Sequence, residues 1–184
     1  GINGVLRPGI VHRIDMDTTG IIIACKNDNA HQHIAKQLAE HSITRKYVAI
    51  ATGNIKDDEG TVDAPIARSK NDRKKMTVIN DLNSGKTAIT NYEVISQTEK
   101  FTLVKVHIET GRTHQIRVHM KHLGYPILGD SVYGRTDTEK RQMLHAYKLE
   151  FQHPITEEEI EFIAKLPEDF KKALKKRGLE FETL

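Results

Sequence analysis

The middle of the chain is dominated by β-forming runs. Tyr47 to Thr52, Thr87 to Ile95 and Phe101 to Glu109 are rich in β-branched and aromatic residues, alternate in character, and meet turn residues such as Gly53. A chain with this much strand at its centre has to build a sheet, and the last two runs predict a strand pair. Helical spacing appears on both sides of them. Asp28 or Asn29 is placed to cap a helix running through His41, with Ala30, Ile34, Ala35 and Leu38 as its core stripe. Thr113 opens a second helical pattern in which Ile116, Met120 and Leu123 share a face, closed by Gly124 and stopped by Pro126. Leu144 to Phe151 reads as a further strand, and Leu166-Pro167 opens a short helix that ends at Gly178. Strands and helices are mixed without regular βα alternation, which favours an α+β fold over a doubly wound one. The 184 residues suit one domain, 1–184, with no internal repeat.

Composition removes several classes. With 38% hydrophobic and 29% charged residues the chain is ordinary globular material, not a disordered segment. Cys25, the single cysteine, rules out an internal disulfide; set in an apolar run, it reads as a buried thiol in a reducing compartment. No stretch approaches the roughly 20 apolar residues of a membrane helix, and no signal-peptide pattern is present, so a cytoplasmic location away from membranes is expected. Ser84-Gly85-Lys86-Thr87 resembles the end of a phosphate loop, but Asn80 occupies the place of the first glycine and a turn explains Gly85 better. Among the ten histidines, His31-Gln32-His33 and His119-Met120-Lys121-His122 lack the partners of a zinc set, so no metal is expected.

The net charge of +3 says little by itself, but its distribution is uneven. The loop Arg68, Lys70, Arg73, Lys74, Lys75 holds five cations against Asp72, and Lys105 to Lys121 adds Arg112, Arg117, His114 and His119. Acids gather in Glu157 to Glu161. A cationic face opposite an acidic segment is the footprint of a phosphate-backbone partner, RNA or DNA.

Two polar segments carry candidate chemistry. His12-Arg13-Ile14-Asp15-Met16-Asp17-Thr18-Thr19-Gly20 sets acids beside bases in a loop, held between Pro8-Gly9 and an apolar strand from Ile21 to Cys25. A kinase catalytic loop is excluded there, because Ile14 interrupts the His-Arg-Asp run and no Asp-Phe-Gly follows. The second segment, Glu109 to His119, follows a strand and opens a helix, aiming backbone N–H groups and Arg112 at an anion. Arg117, one turn in, is placed for partial burial. A buried guanidinium requires a carboxylate, and Asp15 is the unattached candidate, with Glu109 or no partner as the alternatives.

These segments resemble the motifs of the ribosomal large-subunit pseudouridine synthases of the RluA/RluD type. His12 to Gly20 is similar to the family's catalytic motif, Arg45-Lys46-Tyr47-Val48-Ala49 to its second, and Thr110 to His119 to its third. Leu128 to Gly134, Leu144-His145-Ala146 and His153-Pro154 also look like family signatures, so the resemblance runs from about Arg7 to Phe170. It implies an α+β fold whose mixed, mainly antiparallel sheet, with flanking helices and loops, forms a central catalytic cleft.

The resemblance further implies conversion of uridine to pseudouridine in RNA, with large-subunit ribosomal RNA as the substrate and no cofactor. Asp15 would be the nucleophile, attacking either the anomeric carbon or the base, with Arg117 orienting it and Tyr47 against the target base. Arg13 would fill the space left by the flipped nucleotide. Arg112, His114 and the cations Arg68, Lys70, Arg73, Lys74 and Lys75 would contact the RNA. A monomer would suffice. Family members usually carry an upstream segment with an Asn-Lys-Pro strand and often a small RNA-binding domain; this chain begins at Gly1 without Met, so a truncated catalytic domain is expected. A non-catalytic RNA-binding module and a base-excising glycosylase stand as alternatives.

Overall fold

The computed structural model describes residues 9–81, 84–135 and 139–181; Arg7 and Pro8 of the first motif lie outside them. Nine strands and three helices are assigned among these residues: β1 Thr19–Gly20, α1 Asp28–Ala39, β2 Thr44–Thr52, β3 Glu59–Asp63, β4 Ile66–Arg68, β5 Met76–Val78, β6 Ile89–Gln97, β7 Phe101–Ile108, α2 Gln115–His122, β8 Leu144–Gln152, β9 Glu159–Ile163 and α3 Glu168–Lys176. Seven strands form one sheet in the order β1-β8-β2-β7-β6-β3, with β9 also on β8, and β4-β5 is a separate hairpin. All its pairings are antiparallel except β1 with β8, which gives the expected mixed, mainly antiparallel α+β architecture.

β2 lies at the centre, between β7 and β8, and both its faces are covered. Val48 and Ile50 pack with Leu103, Phe170 and Leu174 on the α3 side, while Tyr47, Ala49 and Ala51 pack with Val104, Val106, Ile116 and Met120 on the α2 side. The alternation seen in its sequence therefore describes direction and not exposure, because Val48, Ala49, Ile50 and Ala51 are all fully buried. α1 buries Ile34 against Ile43, Leu149 and Phe151.

The structure corrects three local expectations. Asn27, not Asp28 or Asn29, caps α1, its side chain accepting from the Ala30 amide, and the helix stops at Ala39 ahead of His41, whose φ is 56°. Ile21 to Cys25 does not form a regular strand. Its amides go three separate ways, Ile21 to the Ala146 carbonyl, Ile23 to the His12 ring and Cys25 to the Gly9 carbonyl, so no ladder propagates. The acidic segment at Glu157 to Glu161 overlaps β9, an edge strand whose Glu161 meets Lys148 of β8 at 2.6 Å.

Gly20 is the point where the His12 to Gly20 loop meets the sheet. It has φ +120°, and a Cβ there would lie 2.1 Å from the Ala146 carbonyl oxygen, so only glycine lets the chain pair with β8 at this angle. Gly20→Ala is expected to lower unfolding free energy by roughly 1–3 kcal/mol, read from urea midpoints at unchanged m-value.

Candidate active site

The loop from Ile10 to Asp15, the start of β2 and the segment Thr110 to Ile116 enclose a cleft of about 700 Å³. This is the size range of a small-molecule or nucleotide pocket. Arg13, Asp15, Tyr47 and Arg112 all line it, so four of the expected site residues come together although they lie up to 99 positions apart.

Asp15 is held from behind. Arg117, on the first turn of α2, donates from Nη1 to Asp15 Oδ2 at 3.3 Å, and both side chains are largely buried. The Asp15 pairing inferred from the sequence is thus present, but it is the weaker half of the arrangement. The main partner of Arg117 is Asp130, which takes Nε at 2.6 Å and Nη2 at 2.9 Å in a bidentate fork. Asp130 is itself fully buried and also accepts the Val132 and Tyr133 amides. Burial works against its charge, yet the Arg117 hydrogen bonds and the two amides hold its carboxyl below the usual range. Burial likewise opposes the Arg117 charge, and the two carboxylates outweigh it and raise its pKa. The guanidinium also lies 5.2 Å over the Tyr133 ring, which fixes its plane.

Tyr47 projects from β2 into the same cleft and is 7% exposed. Burial, opposed by Arg45 and reinforced by Asp15, pushes its hydroxyl up to about 12, so it is a neutral phenol at physiological pH. Arg13 is exposed at the cleft mouth. Arg112 is partly spent on structure, its Nε donating to the Thr87 carbonyl. His114, in the left-handed region with φ 56°, sits at the N-terminus of α2 and shares a 2.8 Å hydrogen bond with the Tyr133 hydroxyl.

The basic loop lies elsewhere. Arg68, Lys70, Arg73, Lys74 and Lys75 occupy the end of the β4-β5 hairpin, are exposed, and do not line the cleft. Arg68 donates to the Arg73 carbonyl across the turn, and Lys75 sits 3.7 Å from Asp72. The hairpin is tied to the site through the Met76 amide, which donates to the Tyr133 hydroxyl.

Two positioning devices were not anticipated from sequence. The first holds the third motif. Gln115 accepts from the Thr110 hydroxyl and the Arg112 amide, and donates to the Ile89 carbonyl and to Thr90, whose hydroxyl in turn meets His119 Nδ1. The His119 Nε2 proton goes to the Ala64 carbonyl, so every member is satisfied. The second clamps the Asp15 loop to the segment before β8. Gln142 donates to the Met16 carbonyl and Thr18 hydroxyl, Arg141 donates to the Asp17 carbonyl, and Thr19 meets His145. Asp17 does not cap this turn with its carboxylate, as its residue type suggests. The Thr18 amide donates to the Asp15 carbonyl, and Asp17 takes a left-handed φ of 68°.

Among the described residues, no group of three or more His, Cys, Asp or Glu is placed to hold a metal ion, and no helix is long and apolar enough to cross a membrane.

Residues 2–122 match the family model of RNA pseudouridylate synthase. The chain belongs to that family. Among its relatives is an uncharacterized RNA pseudouridine synthase, YlyB, of Bacillus subtilis (strain 168), 54% identical over 171 residues covering 92% of this chain and 55% of that protein. A ribosomal large subunit pseudouridine synthase D of Zymomonas mobilis is 46% identical, covering 92% and 56%. The chain spans about half the length of the curated relatives it matches. The solved structure of human RNA pseudouridylate synthase domain containing 4 superposes with a TM-score of 0.78 at 26% identity, over 95% of this chain and 77% of that one.

Removing Asp130 strands a buried guanidinium. Asp130→Ala is expected to cost about 3–5 kcal/mol in chemical denaturation, and Asp130→Asn less, because the amide oxygen still caps Val132 and Tyr133. His12 supplies a pH dependence. Burial, with the nearby Arg45 charge, pushes its ring down to about 4. The unfolded chain therefore takes up more protons than the folded one as pH falls from about 6.5 to 4, and stability falls with it. Roughly 2 kcal/mol is expected to be lost across that window, and His12→Gln should remove that part of the slope in urea unfolding at pH 7 and pH 4.5.

Proposed function

We propose that the protein isomerises uridine to pseudouridine in RNA, with large-subunit ribosomal RNA as the substrate, Asp15 as the nucleophile and no cofactor. One observation carries this reading: a single carboxylate, Asp15, at the wall of a nucleotide-sized cleft, backed by a buried guanidinium and sharing the cleft with the phenol of Tyr47. Family membership and the names of the relatives point the same way, including the ribosomal large subunit pseudouridine synthase D of Zymomonas mobilis.

In this mechanism Asp15 attacks the bound uridine, at the anomeric carbon or at the base, and the N1–C1′ bond breaks. The uracil turns within the cleft and C5 bonds to C1′. C5 gives up its hydrogen as a proton, N1 carries one in the product, and no atom is gained or lost overall. Arg117 orients the Asp15 carboxylate through its 3.3 Å contact with Oδ2 and leaves the other oxygen free of that contact. Tyr47, a neutral phenol, supports the base by ring contact and hydrogen bonding. The uridine has to leave its stack to reach Asp15, and exposed Arg13 at the cleft mouth fills the gap. Arg112, His114 and the cations of the β4-β5 hairpin contact the flanking RNA, adding salt-dependent affinity without base specificity.

The chemistry is tested with large-subunit ribosomal RNA transcribed in vitro and tritiated at uridine C5. Tritium release with pseudouridine in the digested RNA is the expected result. Asp15→Asn should reduce it by at least about 10⁴-fold while RNA affinity stays near that of the parent. Free uracil in place of pseudouridine, or undiminished turnover by Asp15→Asn, would overturn the assignment.

A further inference from the structure

Arg45 and His12 present a chemical need that the protein itself leaves unmet. Arg45 is 9% exposed, lies on β2 two residues before Tyr47, and so shares its face of the sheet and its cleft. Unlike Arg117, it has no carboxylate within 4 Å among the described residues; the carboxylate that lines the cleft, Asp15, is held by Arg117. Its guanidinium makes one long contact, Nη2 to the Glu109 carbonyl at 3.4 Å, and its Nε is buried with no partner.

His12 faces the same space. Its Nε2 accepts the Ile23 amide at 2.7 Å, so in the neutral ring the proton is on Nδ1, and Nδ1 is likewise buried without a partner. Gly111 keeps the place open, since a Cβ there would come within 2.7 Å of Arg45 Nη1. Two unpartnered buried donors on residues that line one cavity, one of them carrying a full positive charge, are costly unless an acceptor arrives. The acceptor that satisfies both is an oxyanion, and guanidinium geometry suits a phosphate.

We propose that Arg45 and His12 form a seat for a phosphate of the target nucleotide, so that the cleft grips a flipped uridine at both ends. The base lies against Tyr47 and Asp15, and the phosphate enters the pocket beside them on Arg45 and His12. This rests on the reading of the cleft as a uridine site and extends it to binding of the backbone. It also accounts for a buried cation that pairs with no carboxylate among the described residues, since the RNA brings the counter-charge with it. Arg45 is on this view a binding residue for the phosphate. It differs from the hairpin cations, which are exposed and meet the backbone outside the pocket.

The test compares uridine, uridine 5′-monophosphate, uridine 3′-monophosphate and inorganic phosphate in titrations of nitrogen-15 labelled protein. The signals followed are those of the His12 ring nitrogens and the Arg45 Nε–H. At least one monophosphate should move and protect both signals, inorganic phosphate should move them weakly, and uridine should leave them in place. Arg45→Gln should weaken that monophosphate by roughly 10- to 100-fold while leaving uridine unaffected, with Arg45→Lys intermediate.

Equal binding of uridine and both monophosphates overturns the seat. So does a shift confined to the hairpin around Arg68 to Lys75, or no shift at the solubility limit of the nucleotides. Should Arg45→Gln fail to fold, the comparison of uridine with its monophosphates on the parent protein still decides. Failure of tritium release with these shifts intact would remove the isomerisation and leave the anion seat standing.

Discussion

The site depends on one buried cation shared between two carboxylates. Arg117 is enclosed on the first turn of α2, where an unpaired guanidinium would be severely destabilising. Asp130 meets this need with a two-point fork and leaves Nη1 to face Asp15. The division matters for both partners. Asp130 carries the structural load and is locked by two amides as well, while Asp15 keeps one oxygen uncommitted to Arg117 and remains on the cleft wall. A carboxylate gripped in a fork would have both oxygens spent. A single 3.3 Å contact orients it and leaves it available.

The surrounding packing serves to hold that geometry. β2 delivers Tyr47 and Arg45 from a strand packed on both faces, its Tyr47, Ala49 and Ala51 in one layer of the core and its Val48 and Ile50 in the other. The Gln115 network fixes the turn that leads into α2, and thereby the position of Arg117 two residues later. Tyr133 connects these parts, with its ring beneath Arg117, its hydroxyl on His114 and its oxygen receiving the Met76 amide of the basic hairpin. The hairpin is therefore coupled to the Arg117 cluster through one residue, although it lies outside the cleft.

Much of this was readable from the sequence, and the gaps have physical causes. Strands β2, β6, β7 and β8 and all three helices announce themselves through long runs of consistent periodicity. β4 and β5, three residues each, are too short to show a period, and the lysines and arginines between them mask the hairpin. β9 is hidden by its acids, one of which, Glu161, is offset by Lys148 of the neighbouring strand only in three dimensions. Within the site, the need of Arg117 for a carboxylate followed from its expected burial. The identity of the main partner did not, because Asp130 lies 13 residues away beyond the end of α2, where no helical spacing links the two. The clamp from Gln142 and Arg141 was invisible for the same reason, being made entirely of contacts between distant segments.

That clamp has a consequence for synthesis. Gln142 reaches back across 124 residues to hold Thr18, and Thr19 pairs with His145 over a similar span. At ribosomal elongation rates of roughly 5–20 residues per second, the loop that carries Asp15 emerges about 6–25 s before the residues that set its shape. During that interval Asp15 is part of an unanchored strand of chain, with neither Arg117 nor Asp130 yet made for most of it. The grouping of Asp15, Arg117 and Asp130 is thus assembled late, and the loop that carries Asp15 takes its final shape only once the segment before β8 has been made.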